Sequence, residues 1–167
     1  MIIKRRFKGS VRIVELDSFI RDNLKIMKRR VVEADFTDLS KLEDTIRTLD
    51  AILRLDYFND DIDVATLKKY VFQDISDLRK EISSCRKKIN ELKKYIFNCY
   101  QNNCTNIPVD SPPEIREMSE IVRLAVEDAT MKMSGYRDRI RYLKEEKSVM
   151  TTLLQIIYSP YKFIHQI

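Results

Sequence analysis

The chain has 167 residues, of which 34% are charged and 9% aromatic, with two glycines, four prolines and a formal net charge of +5. So few turn-forming residues exclude a β-rich or α/β fold of this length, because such folds need many turns. Abundant charge with few aromatic residues is typical of long exposed helices and predicts an all-α fold.

The charge is unevenly distributed along the chain. Residues 1–30 carry ten Lys and Arg against three acids, residues 31–66 carry three against ten, and residues 67–167 carry eighteen against thirteen. A basic head and an acidic segment can attract each other, a partner or nucleic acid. Solvated helix faces are the alternative explanation.

The first short helix follows a basic leader. Ser10 or Asp17 is its expected cap, and Glu33 lies near its expected end. Its apolar side chains fall on one side at helical spacing. They are Leu16, Phe19, Ile20, Leu24, Met27 and Val31.

The second short helix is expected to start at a cap provided by Thr37 or Asp38. A polar break at residues 59–63 follows it, with Asp63 as the cap of the next helix. Residues 1–63 are therefore predicted to form the basic leader and two short helices. The apolar stripe of the second helix is Leu39, Leu42, Ile46, Leu49, Leu53 and Tyr57.

Residues 64–100 show the clearest pattern, with apolar residues at alternating steps of four and three. Such heptads are typical of a coiled-coil helix, and isoleucine at a with leucine at d favours a parallel two-stranded coil. Charged residues at the flanking e and g positions can select the partner. The seam is Val71, Ile75, Leu78, Ile82, Cys85, Ile89, Leu92, Ile96 and Cys99.

A proline-bearing break at residues 101–112 separates this helix from a second coiled-coil helix at 113–159, with a tail at 160–167. Steps of four from Ala125 to Met133, beside Gly135, predict a bend or a flexible joint. The stripe of this helix comprises Ile115, Met118, Val122, Ala125, Ala129, Met133, Tyr136, Ile140, Leu143, Met150, Leu154 and Ile157.

The two long stripes predict an elongated all-α protein whose short N-terminal helices precede two coiled-coil helices that bind a partner chain. A homodimeric tether or viral structural protein, and a compact bundle in which the long helices fold back as a hairpin, are alternatives. The expected partner-binding residues are Val71, Ile75, Leu78, Ile82, Cys85, Ile89, Leu92, Ile96, Met118, Val122, Ile140, Leu143, Met150 and Leu154.

Catalytic chemistry finds little support in the sequence. The single histidine, His165, lies in the last three residues, and nucleophilic catalysis usually needs a histidine base. Cys99 and Cys104 are the nearest approach to a zinc motif, and no glycine-rich phosphate loop occurs. We therefore expect no enzyme activity, no cofactor, no metal and no small-molecule substrate.

The cysteines and the N-terminal residues indicate the kind of cellular compartment. An odd number of cysteines and an N-terminus without an apolar signal core indicate a reducing compartment. No stretch approaches the roughly 20 apolar residues of a membrane span, so we expect no membrane partner.

Two basic clusters make nucleic-acid contact the main alternative to a purely structural role. Clustered Lys and Arg bind phosphates without reading sequence. Alternatively, these basic residues form a solvated leader, or an arm that docks on an acidic partner. The residues are Lys4, Arg5, Arg6, Lys8, Lys28, Arg29 and Arg30.

The order of features resembles the THO complex subunit 7 family. The basic leader at residues 2–7 precedes short helices, and the segment 81–89, Glu-Ile-Ser-Ser-Cys-Arg-Lys-Lys-Ile, lies inside the heptad helix before a proline-bearing break. This resemblance implies a nuclear subunit of a THO/TREX-like assembly, which couples transcription to messenger RNA packaging and export. It also implies pairing, as a coiled coil, with a partner like subunit 5.

Overall fold

The computed structural model describes residues 7–33, 35–102 and 112–160. Within these ranges the chain forms helices and no strand, so the all-α prediction is confirmed. No helix of this part of the chain is both long and apolar enough to cross a membrane. The helices are α1 (Ile13–Val31), α2 (Phe36–Leu53), α3 (Val64–Asn102) and α4 (Pro113–Tyr158), with a 3₁₀ turn at Asp56–Asn59.

The start of α3 agrees with the sequence prediction. The carboxylate of Asp63 accepts a hydrogen bond from the backbone N–H of Thr66 at 2.8 Å, which satisfies one of the free donors of the first turn. This bond holds the pKa of Asp63 below its ordinary value. Below that pKa the carboxylate is protonated, so the cap is expected to weaken in acid.

The starts of α1 and α2 differ from the prediction. Arg12 precedes α1 and Asp35 precedes α2, and neither side chain makes a capping hydrogen bond. Asp17 lies inside α1, where it forms an ion pair with Arg21 at 2.5 Å. Asp38 lies within the first turn of α2, where a negative charge is favourable next to the helix dipole.

Backbone hydrogen bonds tie the start of α1 to the start of α3. The Ile13 N–H donates to the Ile62 carbonyl at 2.9 Å, and the Val64 N–H donates to the Val11 carbonyl at 2.8 Å. The backbone at Gly9 packs closely against Ala65 at this junction. A Cβ added to Gly9 would lie only 3.2 Å from the Cβ of Ala65. The helix starts are therefore fixed by tertiary pairing, a signal that local capping patterns do not contain.

The chain divides into two compact units. Of the described residues, 7–33, 35–77 and 146–160 form unit 1, and 78–102 and 112–145 form unit 2. Both long helices extend from one unit into the other, and α4 is helical without interruption through Gly135. The joint predicted at Gly135 is therefore not a break in the helix.

The core of unit 1 is formed by α1, α2, the first part of α3 and the last part of α4. Most residues of the apolar stripes predicted for the two short helices belong to this core or pack against it, but Val31, Leu39 and Leu42 do not, and Ile13 and Ile52 were not among the predicted residues. The amino group of Lys68 on α3 lies 4.5 Å from the ring centroid of Tyr158 on α4. The buried core residues are Ile13, Leu16, Ile20, Leu24, Met27, Leu49, Ile52, Val64, Leu67, Val71, Ile75, Leu153, Leu154, Ile156 and Ile157.

A hydrogen bond from the hydroxyl of Tyr57 to the carboxylate of Asp74 fastens the segment after α2 to α3. Burial, followed by this bond to a carboxylate, raises the pKa of Tyr57 well above its ordinary value near 10. The bond is therefore intact at every pH at which the phenol remains protonated.

Leu67→Ala is expected to lower the free energy of unfolding by about 2–5 kcal/mol, because Leu67 is completely buried and the change leaves a cavity. Chemical denaturation followed by circular dichroism measures the change. Val14→Ala is the matched control on α1, since Val14 is exposed. Equal effects of the two substitutions would contradict this core.

Tyr57→Phe is expected to lower the free energy of unfolding by about 1 kcal/mol at neutral pH, through loss of the hydrogen bond to Asp74. A group whose folded pKa is raised stabilises the protein below its unfolded pKa, near 10, and that contribution is lost as the pH rises further. The difference between wild type and variant should therefore shrink above pH 10. Tyr70→Phe, at an exposed tyrosine of the same unit, should show neither effect.

Candidate protein-binding site on the long helices

In unit 2, α3 and α4 pack against each other as an antiparallel pair within one chain. Arg139 on α4 donates two hydrogen bonds to Glu81 on α3, at 2.7 and 3.0 Å. Further along α3, the amino group of Lys88 lies 5.3 Å from the ring of Tyr136, earlier on α4. Because the α4 numbers fall as the α3 numbers rise, this pair is antiparallel, and the parallel coil expected between α3 and a partner chain stays a prediction.

The chain's own α4 covers the first part of the α3 seam. Four seam residues of α3 in this unit are only 6–8% exposed: Leu78, Ile82, Cys85 and Ile89. On α4 the buried residues are Ala129, Met133 and Leu143. The chain reverses direction between its two long helices and supplies the second stripe itself, while the binding of a partner chain at these α3 positions and Leu143 stays a prediction.

The remaining residues of the predicted partner-binding set fall into three groups. Val71, Ile75 and Leu154 belong to the core of unit 1, and Met150 packs against it. Half-buried positions in unit 2 are Leu92, Ile96, Val122 and Ile140. Met118 alone is strongly exposed.

The pairing is less complete toward the ends of the helices that adjoin the proline-bearing break. Ala125 and Ala129 are too small to fill the space beside Leu92 and Tyr95, which leaves an open groove of about 290 Å³. Apolar surface therefore stays accessible along this part of the seam.

One edge of the pair is neutralised within the chain. Besides the Glu81–Arg139 ion pair, Asp128 and Lys132 form an ion pair at 3.0 Å, which raises the pKa of Lys132. A hydrogen bond with Cys99 raises the pKa of Tyr95 on the same edge. These groups are exposed, so they add little to the stability of the helix pair.

A second apolar stripe runs along the face of α4 opposite α3. Four of its side chains are 51–74% exposed, and nothing lies within 4 Å of a Cβ added to its glycine. Sequence reasoning missed it, although its positions follow steps of three, seven, four and seven, because the stronger inner stripe interleaves with it. This outer stripe consists of Ile121, Leu124, Met131, Gly135 and Tyr142.

Four of the predicted nucleic-acid residues lie within the described part of the chain. Lys28, Arg29 and Arg30 are exposed in the last turn of α1, where cations offset the negative end of the helix dipole. Lys8 is exposed, and residues 4–6 lie outside the described residues.

The cysteines give no metal site in the part of the chain that is described. No group of three or more His, Cys, Asp or Glu side chains there could hold a metal ion. Cys85 is buried in the seam as a small apolar residue, and Cys99 is a half-buried free thiol. Cys104 and His165 lie outside the described residues.

Comparison with models of known protein families, with curated proteins and with solved structures gives no match.

Ile89→Asp is expected to unfold the helix pair of unit 2 in the isolated chain, lowering stability by more than about 4 kcal/mol, because it buries an unpaired charge. Asn90→Asp adds the same charge at the next, exposed position and should change stability by less than about 0.5 kcal/mol. Urea unfolding of both variants measures the difference. Equal stabilities would mean that α4 does not cover this seam in solution.

Proposed function

We propose that the chain is a non-enzymatic helical scaffold whose outer stripe binds a helix of a different protein. The observation that carries this proposal is the row of exposed apolar residues on α4, on the side away from α3. Contiguous exposed apolar surface is a mark of interaction sites.

The spacing of the outer stripe fits a helical partner. Ile121 and Leu124 are three residues apart, and Met131 follows seven residues after Leu124, which is one heptad. From Ile121 to Tyr142 the stripe is about 32 Å long at 1.5 Å per residue. Gly135 presents no side chain, so the backbone of a partner helix can approach closely there.

The charges within the stripe favour a different chain over a second copy. Asp128, which pairs with Lys132, and Asp138, which lies 3.9 Å from Arg141, occupy the two polar positions of the stripe. A parallel pair of copies would place each aspartate against its own equivalent. A foreign helix without an acid opposite the two aspartates avoids this repulsion.

The energetics are those of a modest interface that other contacts reinforce. Burial of Ile121, Leu124 or Met131 contributes about 1.5–3 kcal/mol each, and association itself costs several kcal/mol. The open groove beside Leu92 and Ala125 offers a place for further apolar side chains of the partner.

We further propose that this scaffold works in the nucleus within a THO/TREX-like assembly, where transcription is coupled to mRNA processing and export. The resemblance of residues 2–7 and 81–89 to the THO subunit 7 family supports this. In the proposal, α3 and α4 form an elongated coiled-coil hairpin, to which a subunit-5-like chain adds a third helix. The partner-binding stripe thus moves from the inner seam to the outer face of α4.

Affinity isolation of the tagged chain from its own cells tests the assembly. The expected result is recovery of a coiled-coil protein like THO subunit 5 together with other THO/TREX subunits. Recovery of the chain without any such subunit would contradict the proposed assembly, and a protein recovered by both the wild type and a stripe variant would contradict the binding surface.

Met131→Glu is expected to reduce recovery of the partner more than tenfold, because a charge would be buried at the centre of the interface. Ser134→Glu, at an exposed position about one turn away and off the stripe, should leave recovery unchanged. Both substitutions are at exposed sites, so thermal unfolding of the isolated chain should match the wild type. Equal recovery of the partner by the two variants would contradict the outer stripe as the binding surface.

The mass of the purified chain in solution tests the alternative that the chain is a homodimeric tether. A mass near 19.9 kDa, that of a monomer, agrees with a scaffold that binds a different chain. A discrete dimer that dissociates in Met131→Glu would mean that the outer stripe binds a second copy.

A further inference from the structure

Three pairs of adjacent cations recur every seven residues along the unit 2 part of α3. They occupy the e and f positions of the heptad, beside the buried seam. The other positions on this side of α3, between residues 79 and 101, hold Ser83, Asn90, Phe97, Tyr100 and Gln101, so no acid interrupts the row. The pairs are Arg79–Lys80, Arg86–Lys87 and Lys93–Lys94.

Helix α4 adds cations to the same edge. In an antiparallel pair the e positions of both helices share one edge and the g positions share the other. The contact between Lys88 and Tyr136 places Arg137 within about one residue of the level of Arg86, and Lys144 within about one residue of the level of Arg79. We call the six α3 cations together with Arg137 and Lys144 the basic edge.

The two edges of the hairpin differ in whether their charged side chains form ion pairs within the chain. The edge that holds Glu81, Arg139, Asp128 and Lys132 is paired within the chain. On the basic edge, none of the eight cations forms an ion pair with another described residue. Cations facing cations across a helix pair weaken that pair, so this arrangement disfavours the isolated hairpin and favours one with a bound polyanion.

Aromatic side chains continue the basic edge toward the end of α3. Phe97 and Tyr100 are 59% and 55% exposed. They lie on the side of α3 that carries the cation pairs, just beyond Lys93 and Lys94. A row of cations that leads to exposed aromatic rings is the combination by which proteins bind single-stranded nucleic acid, with phosphates on the cations and bases stacked on the rings.

We propose that the basic edge binds single-stranded nucleic acid without sequence preference. The row from Arg79 to Lys94 is about 22 Å long, with cation pairs about 10.5 Å apart. Its ligand is thus a linear, flexible polyanion with bases free to stack on Phe97. The site is separate from the outer stripe and from the basic N-terminal residues, and it does not depend on the proposed assembly.

A membrane surface fits this edge less well. A helix that lies on a membrane buries a continuous apolar face between its cations. On α3 that face is already packed against α4, as the burial of Ile82, Cys85 and Ile89 shows. An acidic protein would satisfy the cations but would leave the exposed aromatic rings without a specific role.

The test measures binding of the full chain to fluorescent oligo(U) and oligo(dT) of about 12 nucleotides by anisotropy at several salt concentrations. Lys87→Gln combined with Lys94→Gln is expected to weaken binding about tenfold. It should also reduce the slope of log affinity against log salt by about 1.4, the value for two lost phosphate contacts with a single strand. The matched control, Lys88→Gln with Lys132→Gln, removes two lysines from the opposite edge and should preserve the slope.

Phe97→Ala separates stacking from charge. It is expected to weaken binding about tenfold while the salt slope stays unchanged, because a stacked base is lost but no phosphate contact is. Double-stranded DNA of equal length, whose bases are not available for stacking, should show no effect of this substitution.

Arg86→Glu separates folding from binding. Opposite Arg137, a glutamate replaces repulsion with attraction, so the melting temperature should rise by about 1–3 °C while binding falls. Lost binding in this variant then cannot be ascribed to unfolding.

Four results would overturn the proposal. They are equal losses in the two lysine double variants, no binding of either oligonucleotide at low salt, binding to phosphatidylserine vesicles in place of oligonucleotides, and displacement by polyglutamate at equal charge as effective as by oligo(U). The first would indicate diffuse attraction to a basic protein, the third a membrane surface and the fourth an acidic protein as the ligand.

Discussion

The antiparallel contact between α3 and α4 is the interaction on which the surfaces of unit 2 depend. It buries the inner stripes of both helices, including Ile82, Ile89 and Met133. Once these are buried, everything else that α3 and α4 carry in this unit must face outward. The outer stripe and the basic edge are therefore consequences of one pairing, and neither would be a defined surface on an isolated helix.

The two edges of this helix pair differ in how their charges are arranged. Glu81 and Arg139 pair across one edge. On the other edge Arg86 and Arg137 carry the same charge at about the same level. Exposed ion pairs contribute little free energy, so the register depends mainly on side-chain packing in the seam, and the cations of the basic edge are tolerated at small cost.

In unit 1 the short helices α1 and α2 cover apolar surface of the long helices. The apolar faces of α1 and α2 cover the first part of α3 and the last part of α4, where Leu67, Val71 and Ile156 are completely buried. The bonds between Ile13 and Ile62 and between Val64 and Val11 secure this junction. The compact core of unit 1 therefore anchors the helix ends that continue into unit 2.

By itself the sequence determined the helices, their inner stripes and the cap at Asp63, because heptad spacing and capping are local properties of the chain. It could not determine what covers Ile82 and Ile89, since a seam looks the same whether its partner is another chain or a later segment of its own. Only the tertiary structure decided that α4 folds back antiparallel. That choice covered Ile89 with the chain's own helix and left Ile121 and Met131 exposed, because burying one face of a helix necessarily presents the opposite one.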